Sequence, residues 1–491
     1  MTDPADLPAR EARRLIGRRA LSPVELTEAC LARMDALDHA VNAVVARDGD
    51  GLRAAAREAE AAVMRGDPLG PLHGLPLAVK DMEDVAGLPT TYGSEIFARN
   101  VPERDDARVA PLRAAGAIPF CKTNVPEWSA GANTRNRVHG TTANPYGLDR
   151  SAAGSSGGSA VALALGYAPL ATGSDMGGSL RTPAAFAGVV GFRPSPGVVP
   201  GGARAMALVP LSTHGPMARD VGDAALLLSA MAAPDGDDPW SVATGGRTAW
   251  GTGFDPLPHR DLASLRVAAT PDFGFAPTSR AVQALFEAAL ARLAPHVPRL
   301  DHATPDCADA DRIFAVLRAL SFLAPFEAQM ADHPELVGPH VAANVEEARG
   351  YSALDVSRAL AAQGAYHRRW QAFFRDHDIL VAPTATLQPP PWRLPAPVEI
   401  DGAALESYYH WLALAYASTN AGHPSVTIPC GADGDGLPFG LQVIGPRHED
   451  RMLLAAAAEI EAVLAGVRPR PDLAALRAAP PLREAEGFMP T

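Results

Sequence analysis

The 491 residues carry 43 Lys and Arg against 55 Asp and Glu, a net charge of −12, and 47% of them are hydrophobic. That share is ample for a buried core, and the acidic balance provides no basic patch for a phosphate backbone, so nucleic acid is not expected as a partner. Cys30, Cys121, Cys307 and Cys430 are scattered without paired spacing, which suggests neither a disulfide framework nor a zinc site.

Met1 to Arg19 is broken by charges every few residues, unlike the continuous apolar centre of a signal peptide. No run approaches the ~18 to 20 apolar residues of a membrane helix. The expectation is a cytoplasmic protein that makes no membrane contact. Ser22-Pro23-Val24-Glu25 reads as a capping box with proline at the first helical position, and Leu26, Cys30, Met34 and Leu37 follow at helical spacing. A second helix, rich in Ala, Arg and Glu, is predicted over Leu52 to Met64. After the turn Gly66-Asp67-Pro68, Leu75 to Val79 reads as a buried strand that ends by delivering Lys80. A helix over Ala107 to Ala115 and a strand over Ala117 to Cys121 continue the alternation, which indicates an α/β sheet.

Two Gly- and Ser-rich loops follow. Arg150-Ser151-Ala152-Ala153-Gly154-Ser155-Ser156-Gly157-Gly158-Ser159 runs into the apolar segment Ala160 to Leu165. A phosphate loop needs a Lys and then Ser or Thr after its glycines, and Ser159-Ala160 stands there instead. In Thr172-Gly173-Ser174-Asp175-Met176-Gly177-Gly178-Ser179-Leu180-Arg181, two glycines free the backbone to turn its N–H groups inward beside a serine. Such a stretch also occurs in ordinary turns, and a lysine at a strand end is usually a solvated charge or an ion-pair partner.

The three motifs together, in this order, closely resemble the amidase signature family, and the resemblance covers most of the chain. It implies an α/β fold made of a single amidase-signature domain, with a large mixed β-sheet core flanked by helices on both faces. It also implies Lys80 as base, Ser155 as a relay held by a cis peptide bond, and Ser179 as nucleophile, 24 positions from Ser155. Backbone N–H groups around Met176, Gly177, Gly178 and Ser179 would hold the oxyanion, and no metal or organic cofactor is called for. Two positions depart from the family pattern: Ala153 stands where a Gly is usual and Met176 where Thr is common. The loop Lys122 to Ser129 borders the substrate in the family, which makes Trp128 and Ser129 pocket candidates, although Trp128 reads equally as core packing. Asp81, next to Lys80 on a strand, is expected to point to the opposite face.

Beyond Ser179, Phe186 to Phe192 is apolar, and the Pro- and Gly-rich stretch after it marks an irregular loop. His214 is read as a structural or surface residue, since the family does without a histidine. The stretch 236–259 is loop-like, 280–370 is mostly helical, and 378–384, 424–429 and 441–444 read as later strands before a helix over 452–464. The segments expected are N-terminal helices (1–66), a catalytic core (67–258), a variable helical insert shaping the pocket (259–375) and a return to the core sheet (376–491). The function expected is hydrolysis of small neutral amides, with aryl amides and carbamates included, by a monomer or homodimer. The alternative is the glutaminase subunit of a tRNA-dependent amidotransferase. The loop 195–213 has Arg204 as its only charge, which suggests an open, weakly charged rim in which Arg204 alone would select a carboxylate.

Overall fold

The computed structural model describes residues 3–202, 204–232, 234–241, 243–244, 247–248 and 253–482. Parts of the expected loop-like stretch 236–259 (242, 245–246 and 249–252) lie outside them, as do both chain ends. The capping box forms as read: Ser22 Oγ accepts from Val24 N, Glu25 bonds back to Ser22 N at 2.9 Å, and the helix runs Pro23–Val41. The second helix spans Gly49–Arg65 and stops at Gly66, whose φ of 78° only glycine adopts without strain. The helix expected over 107–115 shortens to Ala110–Ala114, because Pro111 fits only in a first turn, which sets the start at Ala110, and Gly116, at φ 93°, turns the chain into the next strand.

Eleven strands form one mixed sheet. In chain order they are β1 (Val44–Ala46), β2 (Pro76–Lys80), β3 (Ile118–Thr123), β4 (Leu170–Asp175), β5 (Val190–Arg193), β6 (Thr213–Ala218), β7 (Val267–Ala269), β8 (Leu300–His302), β9 (Ile379–Pro383), β10 (Ser425–Ala432) and β11 (Pro438–Ile444). Their order across the sheet is β1-β3-β2-β4-β6-β5-β10-β11-β9-β7-β8. The trio β3-β2-β4 is parallel, with Leu77 beside Leu170 and Ala78 beside Ala171, while β6 returns antiparallel and sets His214 against Ser174. Every residue of β2 and β4 is buried, as are the first six of β10, so both faces of the sheet are covered. Helices Gly157–Ala164, Arg181–Ala187, Val221–Met231 and Asp450–Leu464 supply that cover.

Parallel pairing brings the C-terminal ends of β2 and β4 to one side of the sheet, where loops leave both strands. The stretch 280–370 is mostly helical, as expected, in Arg280–Leu293, Ala310–Asp332, Pro339–Arg349 and Ala353–Phe373, with β8 between the first two. By length and composition Ala310–Asp332 is apolar enough to cross a membrane. Here Ile313, Phe314, Val316 and Leu317 are buried, and the helix packs on its two successors.

Candidate active site

Lys80 ends β2 fully buried, its backbone N–H held by Thr172 Oγ1 at 3.0 Å. Its Nζ lies 2.7 Å from Ser155 Oγ and 2.9 Å from Ser174 Oγ. Burial among apolar neighbours disfavours the ammonium and pushes it down to about 7, against the opposing pull of Glu83 and Asp175. Asp81 does point away, pairing with Lys122 Nζ at 3.1 Å and accepting from Thr91 N and Oγ1 at 3.1 and 2.7 Å.

The peptide Gly154–Ser155 is cis. The loop that carries it is tied to β3 and β4 by hydroxyls: Ser159 Oγ meets Thr123 Oγ1 at 2.7 Å and donates to Thr172 O at 3.0 Å. A Cβ at Gly158 would stand 2.4 Å from Asn124 N, so only glycine allows this approach. Ala153 takes a φ of 56°, a conformation that suits the Gly usual there. Its carbonyl accepts from Thr134 N at 2.9 Å and Thr134 Oγ1 at 2.7 Å, and these bonds hold it in place.

After β4, the loop to Ser179 winds around Asp175. Asp175 takes Arg181 Nε at 3.0 Å and Nη2 at 2.8 Å, and its carboxylate also accepts the N–H groups of Gly178 and Leu180. Burial alone would raise this carboxyl, but the Arg181 guanidinium, with Arg193 behind it, holds it well below the usual carboxylate range. The Gly178 N–H, 2.9 Å from Asp175 Oδ1, is therefore committed and leaves the expected oxyanion set. Among the described residues, the N–H groups of Met176, Gly177 and Ser179 have no protein acceptor. Ser156 N donates to Ser179 O at 3.3 Å, which joins the two serine loops through their backbones. Ser179 itself is half-buried, and no hydrogen bond links its Oγ to Ser155.

Ser155, Ser174, Ser179, Met176, Gly177, Ser129 and Trp128 all line one cavity of about 620 Å3, the size of a small-molecule site. Trp128 serves both of its readings, since it is buried and stacks on Phe326 at 4.5 Å while facing the cavity. Ser129, at φ 60°, has a buried Oγ with no partner. His214 is buried rather than on the surface and reaches the cavity wall, with Nδ1 3.0 Å from Glu83 Oε1 and Nε2 against Arg108. Burial and the Arg108 charge push it down to about 4, so it is neutral at pH 7 and its bond to Glu83 is not an ion pair.

The loop 195–213 does border the site, since Gly201, Arg204, Ala205, Met206, Val209 and Ser212 line the cavity, but its openness throughout and a free Arg204 need correction. Residues 195–202 are buried, with Ser195 N held by Asp450 at 2.7 Å, and Arg204 Nη2 meets Asp238 at 3.2 Å while Nη1 donates to Ser212 O at 2.7 Å. Arg204 is thus already paired. The sequence reading also missed Ser174, the second hydroxyl on Lys80, although it lies within the decamer that ends in Arg181. It missed the cavity face of helix Ala310–Asp332 as well, where Phe314, Arg318, Phe322 and Phe326 recur every four residues.

The family model for amidases matches residues 25–454. The chain belongs to the amidase family. This amidase is 35% identical to an acylamidase of Rhodococcus erythropolis, over 93% of this chain and 95% of that one. It is 33% identical to a glutamyl-tRNA(Gln) amidotransferase subunit of Salinispora arenicola, over 96% and 99%. Among solved structures, a bacterial aryl acylamidase of the amidase signature family superposes with a TM-score of 0.87 at 26% identity, covering 97% of this chain and 99% of that one. The 6-aminohexanoate cyclic dimer hydrolase bound to its substrate gives 0.83 at 26% identity, over 96% and 100%.

Proposed function

We propose that this amidase cleaves linear amides, aryl amides among them, through an acyl-Ser179 intermediate. The observation that carries the reading is the buried Lys80, brought down to about 7 and held 2.7 Å from Ser155 on the wall of the cavity that Ser179 also lines. A serine is a poor nucleophile until something takes its proton. Neutral Lys80 accepts a proton from Ser155 as Ser155 accepts one from Ser179, and Ser179 Oγ attacks the amide carbon. The N–H groups of Met176, Gly177 and Ser179 meet the oxyanion, each such donor being typically worth ~3 kcal/mol. Ser155 then protonates the departing amine, Lys80 restores its proton, and water clears the ester by the same route in reverse.

In apo enzymes catalytic hydrogen bonds often tighten only with substrate bound, which accommodates a Ser179 hydroxyl with no bond yet to Ser155. Carbamates reach the same tetrahedral oxyanion, so the machinery admits them and the cavity decides. On this reading the whole chain works as one domain: 67–258 carries the reacting groups, 259–375 supplies the facing wall, and 376–491 completes the sheet.

The resemblance of the chain to that amidotransferase subunit over nearly its full length supports a second reading, a glutaminase acting inside a complex. A fluorophosphonate that labels Ser179, followed by rates on anilides, carbamates and glutamine, tests both. Anilide turnover by the isolated chain supports the first reading. Turnover of glutamine alone, and only with a copurifying partner, would replace it with the second.

A further inference from the structure

One buried cation in the cavity wall lacks a counter-ion. Among the described residues, the lining includes Arg108, Arg204 and Arg318 and no Asp or Glu. Arg108 pairs with Asp106, and Arg204 with Asp238. Arg318 is 5% exposed, and among the described residues no carboxylate lies within ion-pair distance of it. Its guanidinium carbon sits over the rings of Phe322, Tyr408 and Tyr409 at 5.0, 5.0 and 4.6 Å. Nη2 donates to Tyr408 Oη, and Nη1 is buried with no partner at all. Glu347, which bonds to this cluster through Tyr409, is occupied by the hydroxyls of Tyr409 at 3.0 Å and Tyr351 at 2.7 Å.

Ring faces offset only part of the cost of burying a charge, and an unmet guanidinium N–H adds to it. A planar, anionic acceptor supplied by a ligand removes both costs, since carboxylates match the guanidinium fork. The position along the helix fixes where on the substrate that acceptor lies. A Cβ at Gly177 would stand 2.8 Å from the Phe314 ring, so Phe314 abuts the loop that ends in Ser179. Arg318 follows one turn later, about 6 Å further along the helix axis.

We propose that Arg318 is the specificity-determining residue of this site and that it takes a carboxylate at the far end of the amide substrate, several bonds from the scissile carbonyl. This rests on the amide-hydrolase reading and narrows it: the substrates are linear amides bearing a distal acid, so the expectation of neutral substrates holds only at the Arg204 rim.

The test compares glutaryl and adipyl 4-nitroanilides, each with a free terminal carboxylate, with their terminal carboxamide analogues. Wild type is expected to favour the acid in kcat/KM by about 10- to 100-fold, the range of a hydrogen-bonded charge, with the difference carried by KM. In Arg318→Gln the acid-to-carboxamide ratio should collapse to about one, and Arg318→Lys should keep part of it, because a point charge replaces the fork. A wild-type preference for the carboxamide, which needs no variant to observe, overturns the proposal, as does a ratio unchanged in Arg318→Gln. Fluorophosphonate labelling of Ser179 separates the two levels. If Ser179 labels and the ratio is flat, the Arg318 assignment alone falls; if Ser179 does not label, the hydrolase reading falls with it.

Discussion

The titration of Lys80 is the sharpest test of the site. Its ordinary value is 10.5 and burial brings it to about 7. At pH 7 about half the molecules therefore hold a neutral amine, where an unburied lysine would offer roughly one in 3,000, a difference on the order of 5 kcal/mol in access to the base. The rate should rise tenfold per pH unit below about 6, bend near pH 7, and stay level to pH 9, because the group works deprotonated. Initial rates of anilide hydrolysis from pH 5.5 to 9.5 at constant ionic strength, with kcat/KM taken at each pH, give the midpoint for the free enzyme. Glu83 opposes the effect of burial, so Glu83→Gln should move the midpoint to lower pH; its amide oxygen still accepts from His214, and its NH2 donates to Thr172 once that hydroxyl turns to accept. A rate still climbing tenfold per unit above pH 9 would mean that burial does not depress Lys80. A midpoint below 5 would assign the base to a carboxylate.

Ser179→Ala should abolish both turnover and fluorophosphonate labelling, and intact-protein mass would reveal any adduct that persists elsewhere. Lys80→Ala and Ser155→Ala should each cost several powers of ten in kcat, and the double variant should be little worse than either single one, because groups that act as a unit are strongly non-additive. Losses that sum in the double variant would separate the two residues. Asp175→Asn should destabilise by about 3 to 5 kcal/mol, because Arg181 and Arg193 are fully buried around it and would be left without a full counter-charge; a denaturant midpoint equal to wild type would refute this.

Much of this protein was legible in the sequence where a local rule decides the outcome. The capping box at Ser22 and the glycine stop at Gly66 are such cases, since each depends on residues within one turn of chain. The buried strand ending at Lys80 and the α/β alternation were readable as well, because burial on both faces leaves an uninterrupted apolar run. Lys80, Ser155 and Ser179 could be named from three short motifs, but no local rule says that residues 75 positions apart meet. Parallel pairing of β2 with β4 sets the Lys80 amine 2.9 Å from Ser174, and the loop that Ser159 ties to β3 and β4 brings Ser155 to 2.7 Å. The fate of the arginines was likewise beyond sequence: Arg204 looked free until Asp238, 34 residues on, was found against it. Arg318 carried no signal of its own in a stretch read only as helical, and it is the fold that turns it into the cavity wall with no carboxylate beside it. Periodicity fixes which side chains share a helix face, but what that face meets depends on contacts between segments far apart in the chain, and only the tertiary structure decides those.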